Sequence, residues 1–186
     1  VAAALAGAGS ALLPRVTFAA EDRPRYASDP FSLGVASGYP TADGMVLWTR
    51  LAPQPLASDG GMPPVDIHVH WEIAHDLNFT RLAARGITRA EAAWAHSVHV
   101  EVRGLAPGRH YFYRFRSGDA VSEIGRTWTA AAPGANVDRL RVALASCQHY
   151  EQGFFAAYRQ MVADEPDLIV HVGDYIYESG TNKSPV

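Results

Sequence analysis

The 186-residue sequence contains a single cysteine, Cys147. No disulfide can therefore close within the chain, and cysteine usage alone assigns neither a reducing nor an oxidising compartment. A lone thiol is buried filler, a reactive group or a metal ligand. Positive charge is not in excess either. A net charge of −3 and a pI near 6.2 argue against a nucleic-acid-binding protein, which is expected to carry a basic patch. Long apolar runs are lacking as well: only about a dozen such residues precede Pro14 and Arg15, too few for a stable membrane span. No internal repeat is present, and the N-terminal alanines form the one low-complexity run.

What remains is a globular composition, 48% hydrophobic and 19% charged. The chain opens on Val1, and residues 1–20, VAAALAGAGSALLPRVTFAA, are small and apolar before an abrupt change to EDRPRYASD. This resembles the latter part of an export signal, with Thr17 and Ala19 around a cleavage point. The charged segment that would precede it, including any twin arginine, is not in the sequence. Residues 1–28 are thus expected to be a leader handed to export machinery, twin-arginine translocation among the options, for a periplasmic or extracellular protein. A flexible tail or short helix is the alternative.

From Phe31 to Thr129 short strands alternate with turns. FSLGVASGYP ends at Gly38 and Pro40, and GMVLWTRLAP follows Asp43-Gly44, a favoured tight-turn dipeptide. VDIHVHWEI alternates strictly, with Val65, Ile67, Val69, Trp71 and Ile73 on one face, as a half-buried antiparallel strand does. NFTRLAARGITRAEAAWAHS is compatible with a short helix around Arg89–Ala95 or with an irregular strand. SVHVEVRGL directs Val98, Val100 and Val102 inward. RHYFYRFRSG directs either Tyr111, Tyr113 and Phe115 or the opposite set inward, and IGRTWTAA is a last strand. Trp48, Trp71, Trp94 and Trp128 are expected in the core. Roughly seven strands in about 100 residues fit an Ig-like or fibronectin III-like β-sandwich. Leu105, Pro107-Gly108 and Tyr111 in GLAPGRHYFYRF resemble the turn in which a tyrosine hydroxyl bonds back to its own loop.

At APGANVD the composition becomes that of a linker, and the pattern changes beyond it. LRVALAS and DLIVHVGD are continuous apolar strands. Between them Phe154, Phe155, Tyr158, Met161 and Val162 lie on one helical stripe. Strand, helix and strand over about 35 residues make a βαβ unit with parallel strands. The expected organisation is a leader (1–28), a sandwich domain (29–132), a linker (133–138) and the first βαβ unit of an α/β domain (139–186). One helix cannot cover both faces of such a sheet, so the rest of that domain is expected after Val186.

Ligands of open α/β sheets gather at the carboxyl ends of the strands. One strand here ends in Ser146-Cys147-Gln148-His149-Tyr150 and the other in Gly173-Asp174-Tyr175-Ile176-Tyr177. Parallel pairing would bring a thiolate, a carboxylate able to bridge two ions and a phenolate to one sheet edge. Such a set suits ferric iron better than magnesium. Each residue also has a plainer reading: Cys147 as filler, Asp174 as a helix cap, Tyr177 as core. His68 and His70 form a possible zinc pair, but with no third ligand nearby a solvated strand face is the better reading. His99, Glu101 and Arg103 read as plain surface, and His171 as sheet or helix packing.

The combination ASCQHYEQGFFAAYRQM followed by PDLIVHVGDYIYE resembles the PhoD family of alkaline phosphatases and phosphodiesterases, within the calcineurin-like metallophosphoesterases. DPFSLGVASGYPTADGMVLWTRLAP is similar to the start of that family's N-terminal domain. The resemblance implies that Cys147 and Tyr177 ligate a ferric ion (Fe3+) and that Asp174 bridges it to a calcium ion (Ca2+), with Zn2+ or Mn2+ as the alternative metals. His149 occupies the superfamily's histidine position and is a further candidate ligand. The implied activity is hydrolysis of phosphate esters by a metal-activated hydroxide. Since the family's later asparagine, histidine and aspartate ligands would follow Val186, this chain alone is expected to be inactive. A secreted β-sandwich binding module without catalysis is the competing reading.

Overall fold

The computed structural model describes residues 24–149, 155–175 and 177. The expected leader and the segment after Tyr177 fall almost wholly outside them. Two compact units divide between Pro133 and Gly134.

The first unit is almost entirely β. Strands β1 (Val35–Thr41), β2 (Gly44–Arg50) and β5 (Ser97–Val102) form an antiparallel sheet in the order β1-β2-β5. Strands β3 (Ile67–Ala74), β4 (Leu82–Ala90), β6 (His110–Ser117), β7 (Ala120–Val121) and β8 (Gly125–Trp128) form a second, with β7 and β8 both paired to β6. Alternation decides what each sheet buries. Met45, Leu47, Val98, Val100 and Val102 of the first share one core with Val69, Ile73, Tyr111, Tyr113 and Phe115 of the second. Every second residue is apolar, so one face of each sheet leaves water.

Several expectations need correction. Strand β1 does not end at Gly38 but continues to Thr41 through a bulge, where Tyr39 takes a left-handed φ of 50° and Pro40 follows. A bulge tolerates the missing proline N–H that a regular ladder would not. Thr41 pairs with Gly44, so the turn residues are Ala42 and Asp43 rather than Asp43-Gly44. Gly44 instead begins β2, where a Cβ would sit 1.8 Å from the Val102 carbonyl oxygen. Val65 precedes β3 and is exposed. The ambiguous stretch is strand β4 followed by a three-residue 3-10 turn, Ala92–Trp94, which leaves Trp94 70% exposed. Trp71 alone of the four tryptophans packs against the core cluster. Trp48 and Trp128 fall on the alternate, outward positions of their strands, opposite His99 and His110.

The proposed turn tyrosine lies where the sequence suggested. The Tyr111 hydroxyl accepts from the Ala106 N–H at 3.0 Å and donates to the Ala106 carbonyl at 3.3 Å, while its ring is buried.

The second unit contains β9 (Val142–Ala145), α1 (Ala156–Ala163) and β10 (Leu168–His171). The two strands are parallel, Leu168 facing Val142 and His171 facing Ala145. Arg141 ties the start of the pair together: its N–H donates to Asp167 Oδ2 at 2.7 Å and its guanidinium to the Asp164 carbonyl at 3.1 Å. The expected helical stripe is shorter than its residues suggested. Helix α1 starts after Phe155, Phe154 lies outside the described residues, and Val162 is 74% exposed. With 3.6 residues per turn, Val162 stands a full residue step round from Met161, off the half-buried side that Tyr158 and Met161 share. Leu144, Ile169 and Val172 of the apolar strands are also exposed.

Candidate metal centre

Parallel pairing without register slip carries both strand ends to one edge. Just past the ladder, the Val172 N–H donates to the Ala145 carbonyl at 2.9 Å and the Cys147 N–H to the Gly173 carbonyl at 3.1 Å. These two bonds extend the strand pairing into the loops and fix Cys147 beside Gly173-Asp174.

The backbone at both positions is unusual. Cys147 has φ 56° and Asp174 has φ 53°, in the left-handed region that residues other than glycine seldom adopt, aspartate less seldom than cysteine. Residues held there are strained by roughly 1–3 kcal/mol, and such strain gathers where geometry serves a function. The neighbouring Gly173 has φ 122°.

The side chains converge on one atom. Cys147 Sγ lies 3.4 Å from Asp174 Oδ2, and the Tyr177 hydroxyl donates to the same oxygen at 3.3 Å. Cys147 and Asp174 are exposed, and Tyr177 partly so. The Tyr177 hydroxyl is pushed up to about 12, first by loss of water around it and then by the thiol of Cys147 and the charge of Asp174. In this cluster of thiol, phenol and carboxylate the Tyr177 phenol is held neutral, and a cation at the focus would favour its phenolate.

The His149 ring lies against that of Tyr177, centroids 5.3 Å apart and 17° from parallel. His171 supports the loop, its Nδ1 accepting from the Gly173 N–H at 3.4 Å while its buried Nε2 has no hydrogen-bond partner among the described residues. Its ring meets Tyr175 edge-on at 5.0 Å. Packing alone, expected for His171, leaves out this role, for which its position three residues before Asp174 is the signal in the sequence. Tyr150, the last residue of the first loop motif, lies outside the described residues. His68 and His70 stand half-buried on β3 in the other unit. Among the described residues no group of three or more His, Cys, Asp and Glu side chains gathers anywhere, so the phenol of Tyr177 is what brings this cluster to three donors.

Donor chemistry tests whether metal ions fit. A carboxylate oxygen that already accepts from both a thiol and a phenol marks a point where two protons stand in place of positive charge. Thiolate, phenolate and carboxylate in one shell suit a trivalent iron, and the second carboxylate oxygen remains for a hard oxygen-seeking cation.

Two family models match the chain: the PhoD-like phosphatase N-terminal domain over residues 17–131, and PhoD-like phosphatase over residues 142–186. Alkaline phosphatase D of Bacillus subtilis (strain 168) is 51% identical over 160 residues, 86% of this chain and 27% of that protein. A solved structure described as that of PhoD superposes with a TM-score of 0.83 at 51% identity, covering 86% of this chain and 30% of its own. The chain therefore spans between a quarter and a third of the length of these relatives.

Proposed function

The chain belongs to the PhoD-like phosphatases, and on that premise we propose that it supplies part of the metal centre of a phosphoric ester hydrolase, an alkaline phosphatase with possible diesterase activity. The observation that carries this reading is the convergence of Cys147 and Tyr177 on one oxygen of Asp174 at the carboxyl edge of β9 and β10. Cys147 and Tyr177 would hold Fe3+, and Asp174 would be shared between it and Ca2+, with Zn2+ or Mn2+ as the alternative metals. When bound, such ions supply charge that offsets the phosphoryl oxygens and lower the pKa of water enough to make it a nucleophile.

The chain's own residues do the positioning. The left-handed backbone at Cys147 and Asp174 turns both side chains toward one point, and the Cys147–Gly173 backbone bond keeps that approach rigid. The His149 ring supports the face of Tyr177 and restrains where its oxygen can go. His149 thus supports Tyr177 and, at the superfamily's histidine position, stays a candidate ligand.

The same reading takes the two antiparallel sheets with their shared core as an Ig/fibronectin III-like sandwich spanning 29–132, joined by 133–138 to the first βαβ unit of a metallophosphoesterase domain at 139–186. The Tyr111 turn and the change from antiparallel to parallel pairing support it. Residues 1–28 are proposed as an export leader for a periplasmic or extracellular enzyme. The described residues include no helix long and apolar enough to cross a membrane.

Three protein donors fall short of what two cations require, so the isolated chain is expected to be inactive and the full-length protein active. Aryl phosphate hydrolysis with iron and calcium tests both. The reading fails if the full-length Asp174→Asn protein keeps wild-type turnover and metal content. The competing reading, a secreted binding module, predicts no dependence on Asp174 at all.

A further inference from the structure

The core-facing side of the five-stranded sheet is apolar, so its cross-strand register fixes what the opposite side presents. There His68 faces Arg89, His70 lies between Ile87 and Arg116, Glu72 lies between Arg85 and Arg114, and Phe112 faces Arg126. Five arginines thus share this face with one carboxylate, in a chain whose 19 acidic residues outnumber its 16 basic ones. Arg114 is already used: its Nε donates to Glu72 Oε2 at 2.7 Å and its guanidinium covers the Phe79 ring at 4.0 Å. Arg85, Arg89, Arg116 and Arg126 are exposed, and among the described residues no carboxylate forms an ion pair with any of them. His70 is held below its ordinary pKa, first by burial and then by Arg116 and His68, with Glu72 opposing.

Like charges gathered on one sheet face oppose folding, and a multivalent anion relieves them. We propose that this face docks a flexible linear polymer bearing phosphate groups, gripped by Arg85, Arg89, Arg116 and Arg126. Guanidinium forks match phosphate oxygens in pairs, and all basic residues but Lys183 are arginine. Same-face neighbours along a strand stand about 7 Å apart and side chains two strands apart about 10 Å, too far for one phosphate to bridge all four. A chain of phosphates meets them in succession. Nucleic acid fits less well: Phe79 lies beneath Arg114 and Trp128 stacks on His110 at 6.0 Å, so these rings are not open platforms for bases.

The proposal stands independently of the metal centre, and its test keeps the two apart. Binding of sodium polyphosphate to the full-length protein is measured by calorimetry after metal removal by chelation, at about 0.1 M salt and across a salt series, with oligo-dT and dextran sulfate as comparison polyanions. We expect affinity to fall with salt, Asp174→Asn to bind as wild type, and Arg85→Gln/Arg89→Gln/Arg116→Gln to bind at least about tenfold more weakly. Its slope of log affinity against log salt should shrink by about 2, roughly 0.7 for each lost contact. Should the triple variant be unstable, Arg89→Gln and Arg116→Gln singly should each lower the slope by about 0.7. The proposal is overturned if the arginine variants bind as wild type, if Asp174→Asn abolishes binding, or if oligo-dT or dextran sulfate binds more tightly than polyphosphate. It is equally overturned if the full-length protein binds no polyphosphate, which would mean that another part of the polypeptide covers the face.

Discussion

Cys147 Sγ lies 3.4 Å from Asp174 Oδ2 although 27 residues separate the two in sequence. Neither loop could produce this alone. The parallel register of β9 and β10 brings the strand ends level, and a left-handed residue at each end turns its side chain toward the other.

If Tyr177 ligates ferric iron in the full-length enzyme, the protein should be coloured by phenolate-to-iron charge transfer. Tyr177→Phe should lose that visible band while retaining its fold. Cys147→Ser, which leaves the phenol in place, should keep a visible band. An unchanged spectrum in Tyr177→Phe would remove Tyr177 from the ligand set.

The Tyr111 hydroxyl closes the 106–111 turn by bonding both backbone groups of Ala106. Tyr111→Phe preserves the buried ring and leaves the Ala106 carbonyl its bond from Thr129 Oγ1 at 2.7 Å, but strands the Ala106 N–H, so a loss of about 1–3 kcal/mol is expected in urea unfolding. The ring's own packing should keep the slope of the transition unchanged.

Gly86 pairs with Trp71, and a Cβ at that position would sit 2.5 Å from the indole. Gly86→Ala must push the ring off the core cluster it packs against, at a cost of about 1–3 kcal/mol. A blue-shifted or quenched tryptophan emission should not accompany the loss; greater exposure of Trp71 should move emission to the red.

Burial pushes the Tyr113 hydroxyl up to about 12, with Glu123 adding to the effect and a bond to Ser37 opposing it. The folded state therefore favours the neutral phenol. Its contribution to stability is complete below pH 10, near the unfolded value, and is lost as pH rises from 10 toward 12. Thermal unfolding of Tyr113→Phe should fall less steeply across that window than that of the unmutated chain.

Alternation made β5 and β6 legible from sequence, because one face of each is buried and the period of two has no competing explanation. Val98, Val100, Val102 and the Tyr111-Tyr113-Phe115 set all point inward. The parallel β9–β10 pair was legible through its unbroken apolar runs and the helical spacing between them. The tryptophans misled because hydrophobicity alone does not say which side of a strand a ring occupies: Trp48 and Trp128 took the outer parity, and Trp94 a turn. The residue types of the candidate centre were readable, but the left-handed conformations that aim Cys147 and Asp174 were not, since neither residue type demands them. The arginine face was hidden by the acidic average of the whole chain, and only cross-strand register assembles it.

Strand β1 is the terminal strand of its sheet, and its Tyr39 bulge followed by Pro40 breaks the regular row of donors and acceptors that an invading strand would need. At the other sheet, β7 offers only two residues and β4 carries Arg85 and Arg89 along its length. Irregularity at β1, brevity at β7 and charge at β4 make these three margins poor templates for stacking molecule on molecule. Replacing Pro40 would return a backbone N–H to this first margin, β1, and should raise its tendency to accept a further strand.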